Sequence, residues 1–313
     1  MTGVSEKRVK SMSKATKNQV KLTRGDRVFN VFIYALMTVV LILCAYPLYF
    51  VVIASFSDPT QVNAGNVILL PKDVMVDGYI SIFHDAKIWT GYKNTILYTL
   101  VGTCINVALT MAAAYPLSRK ELLGRKQIMM LLTFTMFFNG GMIPNYLLVN
   151  GMGLKNTIWA MVLPTAVSVW NLIIARSYFL STIPNELVEA AEIDGCGSLR
   201  FFFTMALPLS KALTAVMVLF YAVSHWNAFF NALLYLDKSS MHPLQLVLRD
   251  LLLVNQGVDS SMMADAKEMQ LRQKLADLLK YGAVVVSTLP VLCIYPFIQK
   301  YFVKGVMVGA VKG

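Results

Sequence analysis

The chain has 313 residues, of which 57% are hydrophobic and only 14% charged, with a formal net charge of +11. Its mean hydropathy is +0.59. So apolar a chain of this length is excluded from the soluble globular class and belongs in a bilayer.

The basic excess is concentrated at the start, where Lys7, Arg8, Lys10, Lys14, Lys17, Lys21, Arg24 and Arg27 face only Glu6 and Asp26. Residues 1–27 therefore read as a cytosolic basic tail beside an anionic leaflet, not as a nucleic-acid-binding arm, and no nucleic-acid module is visible. The apolar run that follows is too long for a cleavable signal, and five more come after it. A hydrocarbon core needs about 20 apolar residues per helix. Segments 28–54, 92–117, 127–149, 158–180, 212–236 and 279–302 meet that need, and only internally bonded helices suit such lengths. An all-α integral membrane protein with six spans is the expected fold, with residues 28–313 as one membrane domain.

Between the first two spans, residues 55–91 hold Lys72 and Lys87 against four aspartates, with turn signals at Asp58-Pro59 and Leu70-Pro71. The next loop, residues 118–126, carries Arg119, Lys120, Arg125 and Lys126. This alternation places the first loop outside, the second inside, and with six spans both termini in the cytosol. In the second span Thr95, Thr99, Thr103, Asn106 and Thr110 fall within about 80° of helical arc. Such a stripe faces something wetter than lipid, and interhelical hydrogen bonding is the reading favoured for it. Asn139-Gly140-Gly141 with Pro144 in the third span, and Pro164 in the fourth, predict kinks or close packing there.

After the fourth span comes IPNELVEAAEIDGCGSLRFFFTMALPLSKA, residues 183–212, an acidic and glycine-broken loop on the cytosolic side. Pro184 suits a first helical turn, Glu186 and Glu189 complement the positive end of the helix dipole, and Gly195 stops the helix. Ser198 is expected to cap a second short helix carrying Phe201 to Phe203. Ala190, Ala191 and Gly195 leave a low surface that another protein's backbone can approach closely, so the loop reads as a docking element. The fifth span then carries Tyr221, Ser224, Asn227, Asn231 and Tyr235 within about 120° of arc, open to either a solute path or helix packing. Residues 237–280 form a second long external loop, six basic against six acidic, with an amphipathic run PLQLVLRDLLL from Pro243 and a helical stretch from Met262. That run reads either as a helix lying on the outer leaflet or as a partner contact.

Several chemistries lack their residues. No Gly-Lys dipeptide exists, so no Walker-type phosphate loop, and no Asp or Glu lies deep in a span for ion coupling. His84, His225 and His242 have no metal-ligand spacing, and Cys44, Cys104, Cys196 and Cys293 imply no disulfide framework. Catalytic residues, metals and cofactors are not expected in this chain.

The spaced pattern Glu189-Ala190-Ala191, three residues, Gly195, nine residues, Met205, then Leu207-Pro208 resembles the signature of ATP-binding-cassette importer permeases. From about Arg24 to the closing YPFIQKYFVKGVMVGAVKG, the chain resembles the maltose-transporter-type carbohydrate permeases, within them the polysaccharide and complex-oligosaccharide importers of Gram-positive bacteria. It departs from the usual pattern at Met205, commonly Ile, and at Ala212, commonly Pro. The resemblance implies a type I ABC importer permease fold in the bacterial cell membrane. It implies an ATPase-coupling loop at 181–211 whose contacts are Glu189, Ala190, Ala191, Asp194, Gly195, Met205, Leu207 and Pro208. Its implied partners are a homologous second permease, two ATPase subunits holding ATP and Mg, an extracellular sugar-binding lipoprotein, an oligosaccharide and membrane lipids. Ser224, Asn227, Asn231, Tyr235 and Asn106 are then candidates for the sugar path. An ion-coupled secondary transporter and a membrane scaffold or sensor are the alternative classes.

Overall fold

The computed structural model describes residues 23–256, 274, 276–294 and 296. Residues 1–22 of the basic tail, the helical stretch expected from Met262 and most of the closing segment lie outside the described residues. The chain divides into two compact units, residues 1–50 and 51–313. All described secondary structure is helical.

The first unit is carried by α1, Arg24–Ser55, which continues into the second. Its start is set by a reciprocal cap. The Thr23 N–H donates to the Asp26 carboxylate at 2.9 Å, and the Asp26 N–H donates to the Thr23 hydroxyl at 3.2 Å. Phe29, Leu41 and Leu43 point outward with most of their surface exposed. A helix apolar all round is suited to lipid.

The second unit is organised on α2, Ala86–Ser118, which Asp85 caps through the Lys87 N–H at 2.8 Å. It is followed by α3 (Arg125–Phe137) and α4 (Met142–Gly151), bent 111° from each other. The bend sits on the Asn139-Gly140-Gly141 run as the sequence predicts. Gly141 has φ +91°, a region that favours glycine, and its N–H donates to the Asn139 side chain at 3.0 Å. Helix α5 (Ile158–Val162) tightens into a 3₁₀ turn at Leu163–Thr165 around Pro164, and α6 (Val169–Thr182) leaves it at 54°, which also matches the sequence reading.

Beyond α6 lie α7 (Asn185–Ile193), α8 (Ser198–Phe201), a π turn at Phe202–Ala206 and a single turn at Leu207–Leu209. Helix α9 is Lys211–Trp226, and after a break comes α10, Phe230–Tyr235. The continuous fifth span expected over 212–236 is therefore corrected to two helices. Asn227 closes α9, its amide donating to the Val223 carbonyl at 2.9 Å, and a helix of 16 residues reaches only about 24 Å. The last described elements are α11, Leu244–Gln256, and α12, Ala276–Ile294.

Helices α9, α6 and α11 make the most extensive contacts with α2. Small residues on α2 permit this closeness. A methyl built at Gly91 would stand 3.0 Å from the Leu244 Cα on α11. Leu244, Leu246, Val247 and Leu248 are all buried, so the apolar face of α11 packs into protein and not onto a lipid surface. The lipid-lying reading of the Pro243 run is overturned by that contact. Asp58, expected only as a turn residue, caps the short helix Pro59–Asn63 and pairs with Lys274 at 2.7 Å.

Candidate functional site

The loop from residue 181 onward builds a small self-contained knob. Thr182 ends α6, Ile183 is buried, and Pro184 (φ −61°, ψ 146°) turns the chain into α7 with Glu186 in its first turn. At the far end Asp194 is the C-cap and Gly195 takes φ +72°. The Cys196 N–H donates to the Ala191 carbonyl at 2.8 Å, and the Gly195 N–H to the Glu192 carbonyl at 3.0 Å. These two bonds are the Schellman pairing, which satisfies the helix's last carbonyls without outside help. The chain then enters α8 with Gly197, not Ser198, as the N-cap residue. Ser198 is the first helical residue and makes no cap bond, so the capping expectation is corrected by one position.

One face of the knob is anchored and the other is offered. Ala191, Phe201, Phe202 and Ala206 are buried in a cluster with Tyr115, Leu117, Phe179 and Ile183. Burial of Ala191 removes it from the approach surface expected of it. Tyr115 is the aromatic hub, edge-on to Phe179 at 5.7 Å, 5.2 Å from Phe202, and stacked on Phe201 at 6.2 Å. Glu189, Ala190, Asp194, Gly195, Met205 and Pro208 are exposed, and Leu207 is half-buried. The outer face also carries Ile193 (87% exposed) and Leu199, two apolar side chains the sequence reading did not single out. Nothing lies within 4 Å of a methyl built at Gly195. Exposed apolar groups rimmed by carboxylates are the marks of an interaction surface.

The polar stripe of α2 is mainly spent on packing. Thr95 accepts the Leu244 N–H at 2.8 Å, and the Thr110 hydroxyl is 2.6 Å from that of Tyr221. Asn106, 1% exposed, donates to the Thr165 carbonyl at 3.1 Å and lies 3.0 Å from His225 Nε2. Three atoms of the stripe, the Thr99 and Thr103 hydroxyls and Asn106 Oδ1, are buried and find no partner among the described residues. Thr99, Thr103 and Thr214 line a cavity of about 730 Å³ whose other walls are mainly apolar, including Met111, Phe202, Val218 and Trp226.

The break after Trp226 splits the second stripe. Tyr221 on α9 is buried against α2, and Tyr235 is buried on the other side of the break, stacked on Tyr146 at 6.2 Å. Ser224 and Asn227 are exposed and Asn231 is half-buried. Asn227 Oδ1 accepts from Gln245 Nε2 at 3.5 Å, and Gln245, Phe229 and Arg249 line a second cavity of about 290 Å³. The five residues considered for a solute path are thus not one surface.

Among the described residues, three helices are individually long and apolar enough to cross a membrane. Three bent pairs pass the same test together, giving up to six spans. Such a body with a preformed surface knob in the loop after α6 defines the permease class of transport subunit. The family described as binding-protein-dependent transport system inner membrane component matches residues 86–308, and the chain belongs to that family. It is 40% identical over 289 residues to the polygalacturonan/rhamnogalacturonan transport system permease protein YtcP of Bacillus subtilis (strain 168), covering 92% of this chain and 99% of the relative. It is 38% identical over 293 residues to Protein LplC of the same organism, covering 93% and 97%. A crystal structure of a bacterial ABC transporter involved in the import of the acidic polysaccharide alginate superposes with a TM-score of 0.78 at 32% identity, covering 90% of this chain and 98% of that one. The ABC importer permease fold expected from the sequence is therefore borne out, and the chain is a multi-pass membrane component of a transport system.

Proposed function

We propose that this chain is one of two permease subunits in an importer that moves oligosaccharides cut from a polysaccharide, acidic glycans being the leading class. The observation that carries the proposal is the end-to-end likeness to YtcP, named for polygalacturonan and rhamnogalacturonan transport. The alginate importer structure, also named for an acidic polysaccharide, supports the same substrate class. ATP and Mg are held by separate ATPase subunits, since the chain has no phosphate loop of its own. An extracellular sugar-binding lipoprotein delivers the solute.

The knob is the coupling element, with Glu189, Ala190, Asp194, Gly195, Met205, Leu207 and Pro208 at or beside the ATPase contact. Closure of the ATPases on ATP pushes the knobs of the two permeases together, and the spans turn the pore from inward-facing to outward-facing. Ser224 and Asn227, exposed beside the broken end of α9, remain the best-placed groups of the original set for hydrogen bonding a sugar hydroxyl. The basic residues of the tail and of the 118–126 loop support a cytosolic side for the knob and for both termini.

The test is reconstitution of the purified complex in vesicles with its lipoprotein and a digest of polygalacturonan. ATP-dependent uptake of oligogalacturonates is expected; uptake driven by an ion gradient, or none, overturns the importer reading. In intact cells of a Cys-free variant, Ser81→Cys should react with an impermeant thiol reagent and Ser198→Cys should not, and labelling of the latter would invert the orientation.

A further inference from the structure

Two arginines at the knob end of the spans each cap the other's helix. Arg176 on α6 donates from Nε to the Leu117 carbonyl, in the last turn of α2, at 2.9 Å. Arg119, the residue that ends α2, reaches back with Nη2 to the Phe179 carbonyl in the last turn of α6 at 3.5 Å, and with Nε to Ser118 Oγ at 3.3 Å. Both carbonyls stand at the negative end of a helix dipole, where a cation is stabilising. Arg119 is only 9% exposed and no carboxylate pairs with it among the described residues. Its charge is met instead by those oxygens and by the Tyr115 ring, whose centroid is 5.1 Å from the guanidinium carbon. A buried guanidinium is tolerated only where such acceptors hold it, so its place is fixed by both helices at once. Arg125 completes the set by donating to the Arg119 carbonyl at 3.1 Å.

The clamp adjoins the knob. Only Ile183 and Pro184 separate α6 from α7, and Tyr115, under the Arg119 guanidinium, touches Phe201 and Phe202 of the knob. We infer that Arg119 and Arg176 are positioning residues for energy coupling, which lock the ends of α2 and α6 to the knob as one rigid body. A push on α7 then moves the pore-forming spans instead of bending the chain at Pro184. The inference rests on the importer reading, since it supplies a route for the force which that reading requires.

The experiment is a distance measurement in the assembled complex with its ATPases and lipoprotein. Spin labels are placed at Asn185, at the start of α7, and at Leu97, on α2, both exposed. In the otherwise wild-type chain the distance between them should be the same without nucleotide and with ATP plus vanadate. Arg119→Ala should make it shift or broaden by several ångströms on trapping, and the ratio of sugar taken up to ATP hydrolysed should fall several-fold. Should Arg119→Ala fail to assemble, Arg176→Met, which removes the donor from a half-exposed side chain and keeps most of its stem, carries the same test. Arg176→Gln, whose Nε2 stands at the same place along the side chain as the arginine Nε, keeps a donor for the Leu117 carbonyl and should restore most of the ratio. A wild-type distance that changes with nucleotide, or a variant distance that holds, overturns the clamp. A wild-type complex without ATP-dependent uptake sinks the importer reading and the clamp with it, whereas normal wild-type uptake with unaltered variants sinks the clamp alone.

Discussion

Gly102 on α2 faces the imidazole of His225 on α9 so closely that a methyl group built there would lie inside the ring's van der Waals envelope. The same ring is bonded to Asn106 one turn further along α2, so it cannot swing aside without giving up that bond. Absence of a side chain at residue 102 is thus what sets the spacing of two spans. Gly102→Ala is expected to destabilise the purified complex by about 1–3 kcal/mol, the usual cost of overpacking. A thermal melt in detergent reads this as a lower Tm, and an unchanged Tm would show that the ring has room to yield.

Gly195 makes a different demand, since space around it is open and only its positive φ restricts what can replace it. Placing an L side chain in the left-handed region costs roughly 1–2 kcal/mol, and Asn is among the residues that tolerate it best. Gly195→Val should therefore release ATPases during purification and lower uptake, while Gly195→Asn should retain much of both. Equal behaviour of the two variants would remove backbone conformation as the reason for glycine here.

Asp58 provides a pH signature. Burial of its carboxyl opposes ionisation, but the Lys274 ammonium at 2.7 Å and the bonds from the Thr60 N–H and hydroxyl outweigh it and hold it below the usual carboxylate range. A carboxyl whose folded value lies below its unfolded one, about 3.9, stabilises the fold above that pH and ceases to do so as pH falls through the folded value. Asp58→Asn keeps an N-cap for Pro59–Asn63 and loses only the charge. The variant should melt below wild type at pH 6, by an amount matching about 1 kcal/mol or less, and the two should converge below about pH 4. A gap that persists in acid would assign the loss to something other than the ion pair.

Tyr235 and Asn227 separate packing from transport. Tyr235 is buried against Tyr146, and its carbonyl accepts the Asn156 N–H at 2.9 Å. Tyr235→Ala should cost roughly 3 kcal/mol of stability, with uptake falling in step with the yield of complex. Asn227 is exposed, so Asn227→Ala should leave Tm nearly unchanged and lower oligogalacturonate uptake several-fold. Normal uptake by that variant would remove the broken end of α9 from the solute path.

The features legible in the sequence are those that glycine, proline and charge write locally. The bends at Gly141 and Pro164 and the stop at Gly195 follow from backbone preferences of single residues, so no tertiary knowledge was needed to place them. The break between Trp226 and Phe230 carries no such mark. Asn227 closes the helix locally through the Val223 carbonyl, and contacts from a distance complete the break, with Trp226 Nε1 donating to the Ser287 carbonyl at 2.9 Å and Gln245 approaching Asn227. The same holds for Ala191 and Tyr235, whose period on a helix wheel says which face they share but not whether that face meets protein or water. The buried face of α11 was missed because an amphipathic helix reads alike whether it covers lipid or another helix.

The closed hydrogen bonding at the end of α7 bears on how fast a partner can find this protein. Because the Cys196 and Gly195 N–H groups already satisfy the last carbonyls of the helix, the knob holds its shape on its own terms. A partner that seats on Ile193 and Leu199 meets a finished template and need not wait for a chain to order itself, so the entropy of ordering is absent from the free energy of assembly. Binding of this kind is governed by encounter and by dissociation, in keeping with the coupling role proposed for the knob.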